Sequence, residues 1–291
     1  MEISIIIPAY QAENTIMRCI SSILNQTFQD YEIIVVNDGS TDNTKNILES
    51  LKENISKFKV IHQENMGAMD ARINGMLIAQ GEYILFLDSD DWLAANALEL
   101  LNKVAISENS DVILFHAYIV SGQAGYPIPM YTASLEVMRN DSLRTFFNRG
   151  IAGFICGKMV KLSFIKDNCI AFPQRTSYGE DLAMFYSIFL HKPTISCCNE
   201  YLYFYVKVDK AIPDYCVDII KSVEFVGEQL IKHGLYREYE DDYQLFGTRY
   251  TIEIYNTIIN NPLLQQQLWS RYKQWNLNYF GSTKTEYISN E

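Results

Sequence analysis

Short apolar runs alternate with segments of helical periodicity through the first 115 residues, and this alternation most constrains the fold of the chain. Apolar runs at 3–7, 32–36, 59–62, 83–87 and 111–115 are typical of buried strands. Strands that alternate with helices of this length form right-handed βαβ units. The sequence therefore predicts an α/β protein with a mostly parallel sheet flanked by helices.

Three carboxylates in four residues follow the fourth predicted strand, at Asp88, Asp90 and Asp91. Ligands of parallel sheets bind outside the carboxyl ends of the strands, where segments 8–10, 37–39 and 63–65 also lie. Clustered carboxylates repel one another unless a positive charge separates them, and a divalent cation that holds a diphosphate would supply it. The alternative is a solvated acidic loop in which Asp91 caps the next helix.

Composition excludes some classes of function. The net charge of the 291-residue chain is −11, so it lacks the basic balance of a nucleic-acid-binding protein. Six cysteines form no regular framework, and no apolar run reaches membrane-spanning length. Because the sequence begins with a strand-like segment, we expect no signal peptide. We expect a cytoplasmic protein with reduced thiols. Contact with the inner face of the cell membrane stays open.

Beyond residue 115 the pattern is less regular. We expect a loop at 122–131, a helix from Leu182 and an aromatic strand near 194–205. From Pro213 the sequence is helical and rich in aromatic residues. These C-terminal helices could pack on the main domain, cover an acceptor site, touch a membrane surface or form a homodimer contact.

Four motifs in order resemble those of the inverting family 2 glycosyltransferases with a GT-A fold. They are SIIIPAY at 4–10, VVNDGSTD at 35–42, LDSDDW at 87–92 and GED at 179–181. The resemblance covers about residues 1–205. It implies a GT-A fold with a Rossmann-like sheet, divided into a nucleotide-sugar-binding half at 1–115 and an acceptor-binding half with the catalytic base at 116–210. Residues 211–291 would be a C-terminal helical extension.

The implied activity is transfer of a sugar from a UDP-sugar to a hydroxyl of a glycan or lipid-linked acceptor, in bacterial surface polysaccharide synthesis. Asp90 matches the metal-binding carboxylate of the family, and Asp88 matches the one that contacts the ribose or assists the metal. Ser89 belongs to the same donor site. The implied cofactor is Mn²⁺ or Mg²⁺, which would neutralise the charge of the leaving diphosphate.

The resemblance also assigns the nucleobase site. Asp38 matches the residue that accepts a hydrogen bond from uracil; the alternative is a local turn that uses Gly39. Segment 8–10, which contains Pro8, Ala9 and Tyr10, matches the stretch beside the base. Tyr10 would stack there or be a packing aromatic, and Glu13 would lie at the same rim.

Two further positions complete the implied donor site. Gly67 and Arg72 lie in a segment that resembles the family's G-x-x-x-A-R-x-x-G motif. Gly67 would let the backbone pass close to the nucleotide. Arg72 would bind phosphate oxygens or hold Asp88, unless it forms a surface ion pair.

The acidic pair at the end of the matched region is the implied catalytic centre. Asp181 would be the general base that removes the acceptor's proton, with Glu180 binding acceptor hydroxyls. The alternative is that both only complement a helix dipole. Lys158 matches a basic position of the family that would steady phosphate or acceptor.

Two other classes of protein fit parts of the pattern. A nucleotidyltransferase would carry a glycine-rich loop after the first strand, whereas this chain has PAYQA. A non-catalytic nucleotide- or sugar-binding module would lack the metal-binding acid or the base, whereas Asp90 and Asp181 are both present.

Overall fold

The computed structural model describes residues 3–122, 124–174, 178–207 and 213–281, in which nine strands form one sheet with helices on both faces. The strands are β1 (Ile3–Ala9), β2 (Tyr31–Asp38), β3 (Phe58–Gln63), β4 (Tyr83–Phe86), β5 (Trp92–Leu93), β6 (Val112–Ser121), β7 (Ala124–Ile128), β8 (Lys158–Lys161) and β9 (Ile195–Val206). The helices are α1 (Ile16–Leu24), α2 (Thr44–Asn54), α3 (Ala68–Ile78), α4 (Ala97–Glu108), α5 (Leu135–Asn140), α6 (Ser142–Phe147), α7 (Leu162–Asp167), α8 (Glu180–Leu190), α9 (Ile219–Lys232), α10 (Glu240–Thr257) and α11 (Pro262–Phe280), with a 3₁₀ helix at Asp214–Asp218.

The strand order is β3-β2-β1-β4-β8-β6-β9-β5, with β7 paired to β6. Strands β3, β2, β1, β4, β6 and β9 run in one direction, while β8, β5 and β7 run against them. Every residue of β1 and β2 is buried, as expected for strands covered by helices on both faces. The predicted α/β architecture with a mostly parallel sheet is confirmed.

Two predicted segments differ from the structure. The sequence has helical periodicity over 93–107, which predicts a helix there, but α4 begins only at Ala97 because Trp92 and Leu93 pair with β9 as the short strand β5. The segment 122–131, predicted as a loop, contains β7. Pro127 is tolerated in β7 because this strand pairs with β6 alone, at the margin of the sheet.

The C-terminal helices pack on the same core cluster as β1 and β2. Trp275 of α11 is fully buried, and its Nε1 donates to the Tyr243 hydroxyl at 2.7 Å. Tyr243 in turn donates to the carbonyl of Val223 in α9 at 2.8 Å. Packing therefore accounts for Trp275, while membrane contact, a homodimer and the three-part division of the chain stay predictions. Of the predicted extension, 211–212 and 282–291 lie outside the described residues.

None of the helices within the described ranges is long and apolar enough to cross a membrane.

Candidate active site

A pocket of about 640 Å³ opens at the carboxyl edge of the parallel strands. Most of the residues predicted from the sequence for the site line it. They are Pro8, Ala9, Tyr10, Asp38, Arg72, Asp88, Ser89, Asp90, Glu180 and Asp181. Strand direction explains the residues at the ends of β1, β2 and β4, since these strands are parallel and end at one edge. The first turn of α8 adds the acidic pair, and α3 adds Arg72. The pocket thus collects residues that are far apart in the sequence.

Arg72 lies between the two acidic groups of the pocket. Its guanidinium donates to Asp181 Oδ1 and to Asp88 Oδ1, each at 2.8 Å, and only 3% of the residue is exposed. Burial alone would lower the pKa of Arg72, but Asp181 and Asp88 raise it above its ordinary value. The alternative that Arg72 belongs to a surface ion pair is therefore wrong, because both of its ion pairs are made by a buried guanidinium. It joins the loop after β4 to the first turn of α8.

Asp181 and Glu180 form the first turn of α8. The second carboxylate oxygen of Asp181 accepts a hydrogen bond from the Ile155 backbone N–H at 3.1 Å. Burial raises the pKa of Asp181, although Arg72 opposes the shift. Burial, followed by repulsion from Asp181, raises the pKa of Glu180 to about 7. Carboxyl groups with raised pKa values in a pocket suit proton transfer at physiological pH.

Asp91 does not cap the following helix. It is 1% exposed and accepts hydrogen bonds from the Tyr203 hydroxyl at 2.7 Å and the Val206 N–H at 2.7 Å. Tyr203 also accepts a hydrogen bond from the Asp88 N–H at 3.1 Å. Burial, with Asp88 next, raises the pKa of Asp91 to about 8. Asp91 anchors the acidic loop to β9, which leaves Asp88 and Asp90 at the pocket.

We expect Tyr203→Phe to destabilise the protein by about 1–3 kcal/mol, because it leaves the buried Asp91 without its hydroxyl donor. The measurement is urea unfolding at pH 7, with Tyr126→Phe as the control because Tyr126 is 61% exposed. Equal unfolding midpoints for the two variants would show that the Tyr203 hydroxyl contributes nothing.

The carboxylates at this edge of the sheet supply only part of the oxygen ligands that a divalent cation needs. Within the described ranges, no three His, Cys, Asp or Glu side chains are grouped so that they alone could hold a metal ion. Asp88 and Asp90 both line the pocket, and Asp88 gives one oxygen to Arg72. Mg²⁺ and related ions bind through one or two carboxylates together with substrate phosphates. These residues therefore fit a cation that arrives with a diphosphate.

Asp38 ends β2, lines the pocket and bonds the segment that precedes α3. Its carboxylate accepts hydrogen bonds from Gln63 Nε2 at 2.8 Å and from the backbone N–H groups of Met66 at 2.8 Å and Gly67 at 2.9 Å. Gly67 adopts φ +95°, a conformation that favours glycine. Asp38 lines the pocket, where the resemblance predicts a contact with uracil. That contact stays a prediction. The side chain of Tyr10 is half exposed at the same rim, where it can meet a base.

Three predicted residues do not line the pocket. Glu13 points to the neighbouring loop, where its carboxylate accepts from the Asn43 N–H at 2.9 Å. Gly67 lies behind Asp38, and Ala68 lines the pocket instead. Because neither Glu13 nor Gly67 lines the pocket, the structure does not support their predicted contacts with the nucleotide. The third residue is Lys158.

Lys158 is buried and does not line the pocket. It is fully buried, and its ammonium donates to the carbonyl of Phe154 at 2.7 Å and lies 4.5 Å from the ring centroid of Phe185. Burial lowers the pKa of Lys158 to about 8. An ammonium enclosed in this way cannot contact an acceptor, so the prediction of acceptor binding by Lys158 disagrees with its placement. It instead holds the backbone that precedes β8.

The structure adds pocket residues that the sequence did not indicate. Phe154, Ile155 and Cys156 line it because β8 is antiparallel and its amino end lies at this edge. No sequence signal marked the direction of β8. Tyr205 lines it from the end of β9; that strand was predicted, but not its parallel pairing with β6.

Arg18 is a further residue missed from the sequence. It lines the pocket, donates to the carbonyl of Asp90 at 2.6 Å and lies 4.5 Å from the ring centroid of Trp92. The helical spacing of α1 marked only its buried face, on which Ile16 and Ile20 lie. Arg18 brings a positive charge to the acidic loop.

Comparisons with known proteins agree with this geometry. Residues 4–167 match the model described as glycosyl transferase family 2. A poly(ribitol-phosphate) beta-glucosyltransferase of Bacillus spizizenii is 34% identical over 210 residues, which is 71% of this chain and 32% of that protein. TarP of Staphylococcus aureus, a poly(ribitol-phosphate) beta-N-acetylglucosaminyltransferase, is 28% identical over 87% of this chain and 79% of its own.

Solved structures share the fold. S. aureus TarS 1–349 in complex with UDP-GlcNAc aligns with a TM-score of 0.64 at 20% identity, over 97% of this chain and 92% of that chain. The first curated relatives are longer proteins, of which the match covers 32% to 59%. The family model spans more than half of this sequence, from β1 to α7. The chain belongs to glycosyl transferase family 2.

Proposed function

We propose that this chain transfers a sugar from a UDP-sugar to a hydroxyl group of a glycan or lipid-linked acceptor, with inversion at the anomeric carbon, in bacterial surface polysaccharide synthesis. The observation that carries the proposal is one pocket that brings Asp38, the Asp88–Asp90 loop and Asp181 together. A nucleotide end, a diphosphate end and a base are the three parts such a transfer requires.

The relatives support the donor. The solved neighbours include complexes of TarS with UDP-GlcNAc and with UDP. In this chain Asp38 and Tyr10 would hold the uracil end, and Asp88 and Asp90 would hold Mn²⁺ or Mg²⁺ with the diphosphate. When bound, the cation would neutralise negative charge on the leaving group. Arg18 would add a fixed positive charge at the same end of the pocket.

The base has its own place in the pocket. Asp181 would accept the proton of the acceptor hydroxyl, while Arg72 and the Ile155 N–H hold its carboxylate in position. Cys156 is the one thiol among the pocket-lining residues of the described chain. Burial raises the pKa of Cys156 to about 12, so it is a poor nucleophile at neutral pH. A single displacement with inversion fits these groups.

A panel of UDP-sugars tests the donor. With Mn²⁺ present, we expect one UDP-sugar to raise the melting temperature and to release UDP slowly, with GDP- and CMP-sugars inactive as controls. Product from an α-linked donor should carry a β-linkage by NMR. A retained α-linkage or a trapped glycosyl-enzyme would refute the single displacement, and absence of binding by any UDP-sugar would refute the donor class.

The pH dependence of transfer depends on the Glu180–Asp181 pair. Only ionised Asp181 can accept a proton, and its pKa is raised. We therefore expect kcat to fall with decreasing pH at a higher pH than the ~4 of an ordinary carboxyl group. Because Glu180→Gln removes a neighbouring negative charge, it should move this limb to lower pH. If Glu180→Gln left the fall of kcat at low pH unchanged, the ionisation of Glu180 would have no effect on that of Asp181.

A further inference from the structure

A second pocket of about 500 Å³ adjoins the first on the side of the base. Phe154, Glu180 and Asp181 line both pockets, so the second one opens onto the carboxylate that we propose as the base. Its far wall comes from α10, through Tyr250 and Glu253. This helix lies beyond residues 4–167, which match the family model.

We propose that this second pocket binds an uncharged pyranose of the acceptor, and that Tyr250 of α10 is a specificity-determining residue for it. The inference rests on the proposed function, because it takes Asp181 as the base. A sugar in this pocket would present its hydroxyl to Asp181 from the side opposite the acidic loop.

The lining of the second pocket carries the assignment of a sugar. Apolar side chains such as Ile151, Leu182 and Ile254 line it, together with the aromatic residues Phe154 and Tyr250. The C–H faces of a pyranose are apolar and pack on such rings, while its hydroxyl edges need polar partners. A small number of polar groups within a largely apolar lining is typical of binding sites for such ligands.

Tyr250 is held in place by its neighbours. Its ring packs edge-on against Phe246, and the Arg149 guanidinium lies 5.1 Å from its centroid. A Cβ added at Gly153 would stand 3.5 Å from the Tyr250 hydroxyl and 2.5 Å from a methyl group of Leu182. The absence of a side chain at Gly153 therefore keeps the space beside Tyr250 open.

The charges of the second pocket disfavour an anionic occupant. Arg149, its one cation among the described lining residues, is paired with Glu253. Glu180 and Asp181 add further acidic groups. A phosphate placed here would meet a cation already paired with Glu253 and the acidic group of Glu180, while Asp181 shares Arg72 with Asp88. The pocket thus suits a neutral sugar better than a phosphate-bridged polyol, the acceptor named for two of the relatives.

The test uses the full chain with the UDP-sugar that the donor panel identifies. The acceptor probes are p-nitrophenyl β-glucoside, β-galactoside and N-acetyl-β-glucosaminide, against poly(ribitol phosphate) as the anionic polyol. We expect at least one neutral glycoside to bind by saturation-transfer NMR and to accept sugar, and poly(ribitol phosphate) to do neither. Transfer to poly(ribitol phosphate) with no binding of the neutral probes would overturn the proposal.

Three variants of α10 locate the binding. Tyr250→Ala should raise the KM for the neutral glycoside about tenfold with the donor KM unchanged, because it removes one ring contact. Tyr250→Phe should restore the KM, since it keeps the ring. Tyr255→Ala is the matched control, because Tyr255 lies on the same helix outside both pockets.

The acceptor KM and the binding of UDP-sugar distinguish failure of the acceptor site from failure of the proposed function. An unchanged acceptor KM in Tyr250→Ala, while UDP-sugar still binds and releases UDP, would overturn the acceptor site alone. Loss of UDP-sugar binding in the unmodified chain would instead overturn the proposed function. Glu253→Gln should gain binding of poly(ribitol phosphate), because it frees Arg149 from its acidic partner. No gain in that variant would contradict the argument from charge.

Discussion

Asp181→Asn is expected to lower kcat for sugar transfer by about 100- to 10,000-fold while the Kd for UDP with Mn²⁺ changes little. The amide cannot take up the proton of the acceptor hydroxyl. It keeps the shape of the side chain, but one of its two donors, Arg72 or the Ile155 N–H, then faces an amide NH₂ group. Transfer is measured as product formation, and UDP binding by calorimetry.

Folding must be separated from chemistry for this variant. The unfolding midpoint of Asp181→Asn shows whether the lost hydrogen bond disturbs the pocket. Glu180→Gln is the matched control, because Glu180 occupies the preceding position of the same helical turn. We expect it to retain more activity than Asp181→Asn. If Asp181→Asn kept full activity, or if Glu180→Gln were the inactive variant, the base would be assigned to the wrong residue.

Asp90→Asn is expected to weaken UDP binding in Mn²⁺ by about 10- to 100-fold, with no change when EDTA removes the metal. The reason is that Asp90 would hold the cation, whereas the uracil end of the pocket lies at Asp38 and Tyr10. The measurement is a pair of UDP titrations, one with the metal and one without. Transfer activity should fall with the metal-dependent binding.

Glu64→Gln is the control for this substitution. Glu64 follows β3 at the same edge of the sheet but does not line the pocket, so its change removes charge without removing a ligand. Equal weakening of UDP–Mn²⁺ binding by Asp90→Asn and Asp181→Asn would contradict the division between donor site and base. A weakening in EDTA as large as in Mn²⁺ would show that Asp90 does not act through a metal.

Arg72 couples the loop that would hold the donor to the proposed base. It bonds Asp88 and Asp181 at the same distance of 2.8 Å while it is nearly fully buried. Breaking a buried pair by removal of one partner leaves an uncompensated charge. The donor loop and the base therefore share one cation, and a substitution at either acid alters the charge that the other experiences.

The sequence itself predicted the parallel part of the sheet and the residues at its active edge. This was possible because buried strands are continuous apolar runs, and because the residues after parallel strands all emerge on one side of the sheet. Tyr10, Asp38 and Asp90 were found in this way, and all three line the pocket. The motif at 179–181 located the acidic pair without any knowledge of its neighbours.

Only the tertiary structure decided which groups surround those residues. The direction of β8 depends on pairing with β4 and β6, which no local pattern encodes, and it buries Lys158 while it brings Phe154 to the site. The contact of Arg72 with Asp181 joins residues 109 positions apart. The second pocket depends likewise on α10 packing beside the base. Local sequence determines strands, helices and their ends, whereas long-range packing determines which side chains meet.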